Sequence, residues 1–293
     1  MLRNLFALNG KTAIVTGASY GLGVTFAEAL AEAGANVVLS ARSGAKLEDV
    51  ARRITGRGGS ALAIPCDVGE PGQVPAMVSK AWQHFGRVDI LVNNAGIAAD
   101  AGIMPEKVPH DLFVRTMQVN VSGVWCSCRE TGARMLADGK GGSIINIASI
   151  LGFGGLGDIS PSYQASKAAV INLTRHLACS WGNRGIRVNA IAPGWFPSEL
   201  TEPLFRMPGF REWARNLAPL KRLGDPGELV GPLLFLASDA ASFVTGHTLV
   251  VDGGCSSGIG ATVLPDGFYD ALARTVPGGM ATHIVSLGAA SLD

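Results

Sequence analysis

Charge is scarce in this sequence. Charged residues make up 16% of the 293, hydrophobic residues 47%, and 24 Lys+Arg stand against 23 Asp+Glu for a net charge of +1. So little charge with so much apolar surface excludes the composition of a disordered chain. With no cationic excess and no Lys/Arg block, the basic face that neutralises phosphate is missing, and no nucleic-acid partner is expected. Apolar runs of roughly 18 residues, the length that spans a bilayer, are missing too, which argues against a membrane partner. The opening MLRNLFALNGKTAIVTG has too short an apolar run for a secretory signal. A cytoplasmic location is expected.

Cysteine and histidine are few and poorly placed for metal. Cys66, Cys126, Cys128, Cys179 and Cys255 are odd in number and lack CxxC spacing, and the five histidines are scattered singly with no HExxH. The cysteines read as reduced thiols acting as small hydrophobes, and no metal site is expected.

What the chain does have is alternation. TAIVT (12–16) is a β-branched apolar run ending in Gly17, an Ala/Leu-rich helical pattern follows to about Ala33, and NVVLSA (36–41) supplies a second strand. Helices are then predicted near 44–55, 71–85, 109–138, 163–181 and 226–237, with strands at 60–64, 88–92, 143–148, 186–192 and 247–251. Each strand is a near-continuous apolar run, as expected of a parallel sheet covered on both faces. The expectation is an α/β fold, a Rossmann-type doubly wound sheet in one domain over 1–255. An irregular stretch occupies 193–225. Residues 256–293 form a Gly-punctuated extension in which 266–276 suits a short helix and 282–287 a strand.

Gly17-Ala18-Ser19-Tyr20-Gly21-Leu22-Gly23 lies between the first strand and the first helix. There glycines let backbone N–H groups and a helix N-terminus approach a pyrophosphate, although three residues rather than one separate the first two glycines. The carboxylate that would bind a ribose 2′-hydroxyl is absent from the end of the second strand, which reads Ser40-Ala41-Arg42. An arginine there suits a 2′-phosphate and favours NADP(H), with NAD(H) open, since a solvated loop start also carries arginine. Asp67 after the third strand and Asn93-Asn94-Ala95-Gly96 after the fourth put polar groups on the same carboxyl edge.

Tyr163 and Lys167 are four apart on a predicted helix and so share a face. An ammonium beside a phenol favours the phenolate and lowers its pKa, as proton exchange with an alcohol requires. Ser149 closes the strand SIINIAS at the same edge, within reach of a substrate oxygen. Asn120 falls inside the helix expected over 109–138, where it is either a surface amide or a buried one that needs partners.

Together these motifs resemble the short-chain dehydrogenase/reductase family, the type of roughly 250 residues. The matching segments are Thr16 to Gly23, Asp67, Asn93 to Gly96, Asn120, Ser149, Tyr163-Gln164-Ala165-Ser166-Lys167, Asn189, Pro193-Gly194 and Asp252-Gly253-Gly254, in family order over about 8–255. The resemblance implies an NAD(P)-dependent alcohol dehydrogenase or carbonyl reductase. Tyr163 would be the general acid/base, Lys167 its pKa depressor and a ligand of the nicotinamide ribose, Ser149 the group that orients the carbonyl, and Asn120 the holder of a relay water. It implies dinucleotide contacts at Gly17, Ser19, Tyr20, Gly21, Leu22 and Gly23, at Arg42, Asp67 and Val68, at Asn94, Ala95 and Gly96, and at Pro193, Gly194, Phe196 and Ser198. A homotetramer or homodimer is implied as well.

Three features depart from the family pattern. The Ser149–Tyr163 spacing is one residue longer than the family's, with Ser160 and Ser162 nearby. Trp195-Phe196-Pro197-Ser198 replaces the usual threonine after Pro-Gly, leaving Ser198 or Thr201 for the carboxamide. The chain also continues past Asp-Gly-Gly. Within 194–225, where the family places a substrate lid, stand Trp195, Phe196, Leu200, Leu204, Phe205, Met207, Phe210 and Trp213. They point to a ketone or alcohol with a substantial apolar body, or to a lid packed on itself or on a neighbouring subunit. A non-catalytic nucleotide sensor or scaffold of the same fold is the alternative function.

Overall fold

The computed structural model describes residues 5–157 and 159–258; the helix and strand expected at 266–276 and 282–287 lie outside them. Seven strands, β1 (Thr12–Thr16), β2 (Asn36–Ala41), β3 (Ser60–Pro65), β4 (Ile90–Asn93), β5 (Gly142–Ile147), β6 (Ile186–Pro193) and β7 (Thr248–Val251), form one parallel sheet in the order β3-β2-β1-β4-β5-β6-β7. Ile14 pairs with Val38 on one side and Leu91 on the other, and Ile145 with Val92 and Asn189.

The apolar runs have two faces to fill. Ala13, Val15, Val37, Leu39, Val92 and Ile145 point to one layer, against Phe26 and Leu30 of α1 (Leu22–Glu32), Leu47, Val50 and Ile54 of α2 (Gly44–Gly56) and Leu233 of α9 (Val230–Ala237). Ile14, Val38, Leu91, Ile144 and Val188 point to the other, against α3 (Gln73–Phe85), α5 (Gly123–Asp138) and α6 (Pro161–Trp181). Period-2 alternation along the strands meets helical stripes such as 47, 50, 51 and 54, so apolar side chains fill most of both layers.

The helix expected over 109–138 is not continuous. It is α4 (His110–Met117), a π-turn over Gln118–Ser122, and then α5. The composition stays helical across the break, and one wide turn leaves no trace in periodicity. The stretch expected to be irregular holds α7 (Glu202–Phe205) and α8 (Phe210–Leu217), the latter entered through Gly209 at φ +76°. A capping box formed by Asp225 and Glu228 then starts the turn leading into α9.

The sheet grows outward in opposite directions from β1 and β4, which opens a crevice at the strand ends between them. Among the described residues no helix is long and apolar enough to cross a membrane, and no three potential ligands are grouped to hold a metal ion.

Candidate active site

The glycine turn sits in that crevice and is tied to β4. Asn94 donates its side-chain amide to Thr16 O (3.0 Å) and Gly17 O (3.2 Å), while Thr16 Oγ1 accepts from the N–H groups of Asn94 and Ala95, both at 3.1 Å. Gly17 has φ +67°, and a Cβ there would lie 2.9 Å from Ala95 Cα. Gly23 does not face the cleft: it is buried, and a Cβ on it would strike the Gly17 carbonyl, so it serves the packing of α1 onto the turn. Asn93 is likewise removed from the edge. It is buried, donating to Asn146 Oδ1 (2.8 Å), whose own amide donates to Thr174 of α6 (2.9 Å). Asn189 also plays a structural part, bonding Val244 O and His247 N.

Two adjoining cavities of about 490 and 130 Å³ meet at this turn, sharing Gly17, Tyr20, Ala95 and Gly96. The larger is lined by Ser19, Tyr20, Arg42, Asp67, Val68, Ala95 and Gly96. Lys46, which the sequence reading missed, stands with Arg42 on its wall, its ammonium 5.6 Å from the Tyr20 ring centre. Asp67 is already engaged by Arg115 (2.9 Å) and the Gly69 N–H (2.9 Å). The smaller cavity is lined by Gly21, Leu22, Asn94, Tyr163, Lys167, Pro193, Gly194, Phe196, Ser198 and Thr201. Thr201 Oγ1 donates to Phe196 O (2.7 Å) and accepts from Ser198 N (2.9 Å), so that hydroxyl is committed to the loop.

Ser149, Tyr163 and Lys167 come together at the end of β5. Lys167 is 4% exposed, donates to Ile147 O at 2.7 Å and lies 5.4 Å from the Tyr163 ring centre. Burial brings its pKa down to about 8. The Tyr163 phenol is moved the other way: burial raises it, and the nearby Ser149 hydroxyl offsets only part of the rise. The direction is opposite to the lowering expected from Lys167, because burial desolvates the phenolate.

Asn120 is fully buried in the π-turn. Its Oδ1 accepts from Ile97 N (2.9 Å), and its Nδ2 donates to Ile97 O (2.8 Å) and Ser166 Oγ (3.0 Å), so the side-chain amide has no donor left for a water. A Cβ on Gly96 would come within 3.4 Å of Asn120 Oδ1 and 3.5 Å of Lys167 Nζ.

Which serine serves Tyr163 is decided by Asp100, a residue the sequence reading passed over. Asp100 is wholly buried and accepts from Ser160 Oγ, Ser162 Oγ (2.7 Å) and Ser162 N (3.1 Å). Burial alone would raise its pKa, but these donors hold it below the usual carboxylate range. Ser160 in turn caps α6, accepting from Tyr163 N at 3.2 Å. Both serines are therefore spent on anchoring α6, and Ser149 is the hydroxyl that meets the phenol. No local pattern announces an aspartate whose partners lie 60 and 62 residues away.

A third cavity, about 380 Å³, opens beyond Ser149 and Tyr163 beneath α7 and α8. Trp195, Phe210 and Trp213 form its aromatic wall, with ring centres 5.1–5.5 Å apart.

A doubly wound sheet with a glycine turn at its switch point, and a Ser–Tyr–Lys cluster in the same crevice, defines a dinucleotide-dependent oxidoreductase. Comparison with known proteins agrees. A family model described as enoyl-(acyl carrier protein) reductase matches residues 17–256. The 2-dehydro-3-deoxy-D-gluconate 5-dehydrogenase of Dickeya dadantii (strain 3937) is 40% identical over 259 residues, 87% of this chain and 98% of that protein. The galactitol 2-dehydrogenase (L-tagatose-forming) of Cereibacter sphaeroides is 39% identical over 255 residues, 86% and 97% of the two chains. The crystal structure of a gluconate 5-dehydrogenase from Burkholderia cenocepacia J2315, in complex with NADP and tartrate, superposes with a TM-score of 0.84 at 37% identity, covering 88% of this chain and 100% of that one. The chain belongs to the short-chain dehydrogenase/reductase family. It is an oxidoreductase that interconverts secondary alcohols and ketones.

Proposed function

We propose that Tyr163 is the proton donor and acceptor of an NADP(H)-preferring carbonyl reductase and alcohol dehydrogenase. The observation that carries this is the meeting of Tyr163, Ser149 and Lys167 where two cavities join, one leading to the glycine turn and the other beneath α7 and α8.

The cleft fits a dinucleotide on its own geometry. Gly17 and Gly21, both at positive φ, leave a cradle that side chains would fill, and α1 presents its N-terminus there for the pyrophosphate. Arg42 and Lys46 supply two cations at the end of β2 for a 2′-phosphate, where a carboxylate would prefer the bare ribose. Asp67 and Val68 would border the adenine, and Lys167, Pro193, Gly194 and Ser198 the nicotinamide half. When bound, the dinucleotide gives or takes the hydride.

The chain's own residues handle the proton and the orientation. A phenol whose pKa is raised by burial rests protonated at neutral pH, ready to give its proton to a carbonyl oxygen. Ser149 aligns that oxygen beside the phenol. Lys167, fixed by Ile147 O, keeps a positive charge near the phenolate left behind and so lowers the cost of the transfer. With the Asn120 side chain committed, its part is to hold the π-turn against Ile97 and Ser166 behind Lys167.

The reading extends to place and assembly. Five free cysteines, among them exposed Cys179, support a reducing cytoplasm. Val114 on α4, Trp125 on α5 and Phe243 are exposed hydrophobics that support a homodimer or homotetramer. Following nicotinamide absorbance over a panel of ketones and alcohols, with wild type and Tyr163→Phe in parallel, tests the core of the proposal. Turnover by wild type that vanishes in the variant is expected; equal turnover in both removes Tyr163 from the chemistry.

A further inference from the structure

Resting on that reading of the site, we infer that the substrate is an uncharged ketone with a bulky hydrocarbon body, not a sugar acid or a polyol of the kind named for its relatives. The cavity beyond Tyr163, about 380 Å³, is within the size range of pockets for drug-like molecules. Its wall includes Leu156, Ile159, Trp195, Leu204, Phe210 and Trp213, and among the described residues no charged side chain lines it. A carboxylate entering this space would lose its hydration with no cation to replace it.

Two of the four side-chain hydroxyls on the wall are already engaged within the protein. Ser160 Oγ donates to Asp100 and accepts from Tyr163 N, and the Thr201 hydroxyl is held by Phe196 O and Ser198 N. Gln164 takes up backbone groups of Leu156 and Ile159, accepting from Leu156 N (2.7 Å) and donating to Leu156 O (3.0 Å) and Ile159 O (2.7 Å). The indole N–H of Trp195 has no oxygen or nitrogen acceptor, but it is buried, with the Cys255 thiol beside it. The side-chain hydroxyls left for a substrate are Ser149 and Tyr163, enough for one carbonyl oxygen and too few for a chain of hydroxyls. Apolar burial supplies the rest of the recognition, and the edge-on rings of Trp195, Phe210 and Trp213 suit a cyclic or branched body.

In the reductive direction the carbonyl π bond breaks as its carbon takes hydride from the dihydronicotinamide, which is oxidised. The oxygen takes the proton of Tyr163, so the product is the secondary alcohol and the phenolate regains its proton from solvent.

The test compares kcat/KM for alkyl-substituted and fused-ring cyclohexanones with that for galactitol, gluconate and their keto counterparts. We expect the hydrocarbon ketones to lead by at least about 100-fold and each methylene that fits the cavity to add about fourfold. Galactitol, gluconate or a keto counterpart turned over within tenfold of the best hydrocarbon ketone overturns the inference. A second readout needs no chemistry: quenching of tryptophan fluorescence in dinucleotide-free protein by a fused-ring alcohol, against gluconate. Quenching by the hydrocarbon alone, in wild type and in Tyr163→Phe, supports the inference even where no ketone is reduced, an outcome that instead refutes the assigned chemistry. Quenching by gluconate alone, or by neither, overturns the inference.

Discussion

Replacing Asp100 by asparagine isolates the anchor of the catalytic helix with almost no change in volume. The buried carboxylate accepts from two serine hydroxyls and the Ser162 N–H at the first turn of α6, where the helix dipole also favours a negative charge. Asparagine keeps one acceptor oxygen, presents an NH2 group to donors, and forfeits the charge. Charge-assisted hydrogen bonds contribute about 1.5–3 kcal/mol each, and hydroxyl rotation recovers part of the loss, so the net cost is about 2–3 kcal/mol. Urea unfolding followed by tryptophan fluorescence reads it directly, and Tm is expected to fall by about 4–12 °C. Because the folded-state pKa is depressed, the carboxylate's contribution is present above the unfolded pKa of about 3.9 and is lost as pH falls through the folded value. The gap between wild type and Asp100→Asn should therefore close in acid. Since Ser160 hands the same anchor to the Tyr163 N–H, kcat should drop about tenfold with little change in dinucleotide affinity. A variant within about 0.5 kcal/mol of wild type at pH 7, with wild-type kcat, refutes the anchoring role.

Asn94→Ala removes both donations that hold the glycine turn to β4 and should weaken dinucleotide binding about tenfold or more, by equilibrium titration; unchanged affinity would show that the turn holds itself. Arg42→Asp should lower the NADPH/NADH ratio of kcat/KM by about tenfold or more, and the double change with Lys46→Ala further still, whereas an unmoved ratio removes both cations from the 2′-phosphate site. Lys167 costs stability in the free enzyme. Its charged form is desolvated at neutral pH, with a pKa of about 8 against about 10.4 unfolded, and the penalty fades as pH rises from 8 toward 10.4. Lys167→Met should thus abolish turnover yet unfold at pH 7 at no lower urea concentration than wild type, and a large loss of stability would contradict the desolvation argument.

How far the sequence reveals this protein depends on where each signal lives. The strands are legible because a sheet buried on both faces demands unbroken apolar runs, and TAIVT and NVVLSA coincide with β1 and β2 residue for residue. Tyr163 and Lys167 are legible because helical spacing alone puts them on one face. The π-turn around Asn120 is not, since widening one turn changes no residue type. Nor is the division of labour among three nearby serines, which Asp100 decides from 60 residues earlier in the chain. Ionisation is harder still: sequence adjacency of Tyr163 and Lys167 argues for a lowered phenol pKa, whereas burial raises it. The cavity beneath α7 and α8 shows only as a run of aromatics, and its lack of spare polar partners emerges once every hydrogen bond is placed.

With Tyr163 proposed as the group that exchanges the proton, the most direct measurement separates binding from chemistry in one variant. Dinucleotide Kd by fluorescence and the single-turnover rate of hydride transfer should be measured for wild type and Tyr163→Phe on the best ketone found. Loss of the phenol proton with the ring retained predicts a Kd within about threefold of wild type and a rate lower by about 10²–10⁴-fold. A rate near wild type at unchanged Kd would mean that the proton comes from another group, and the assignment built on Ser149, Tyr163 and Lys167 would fall.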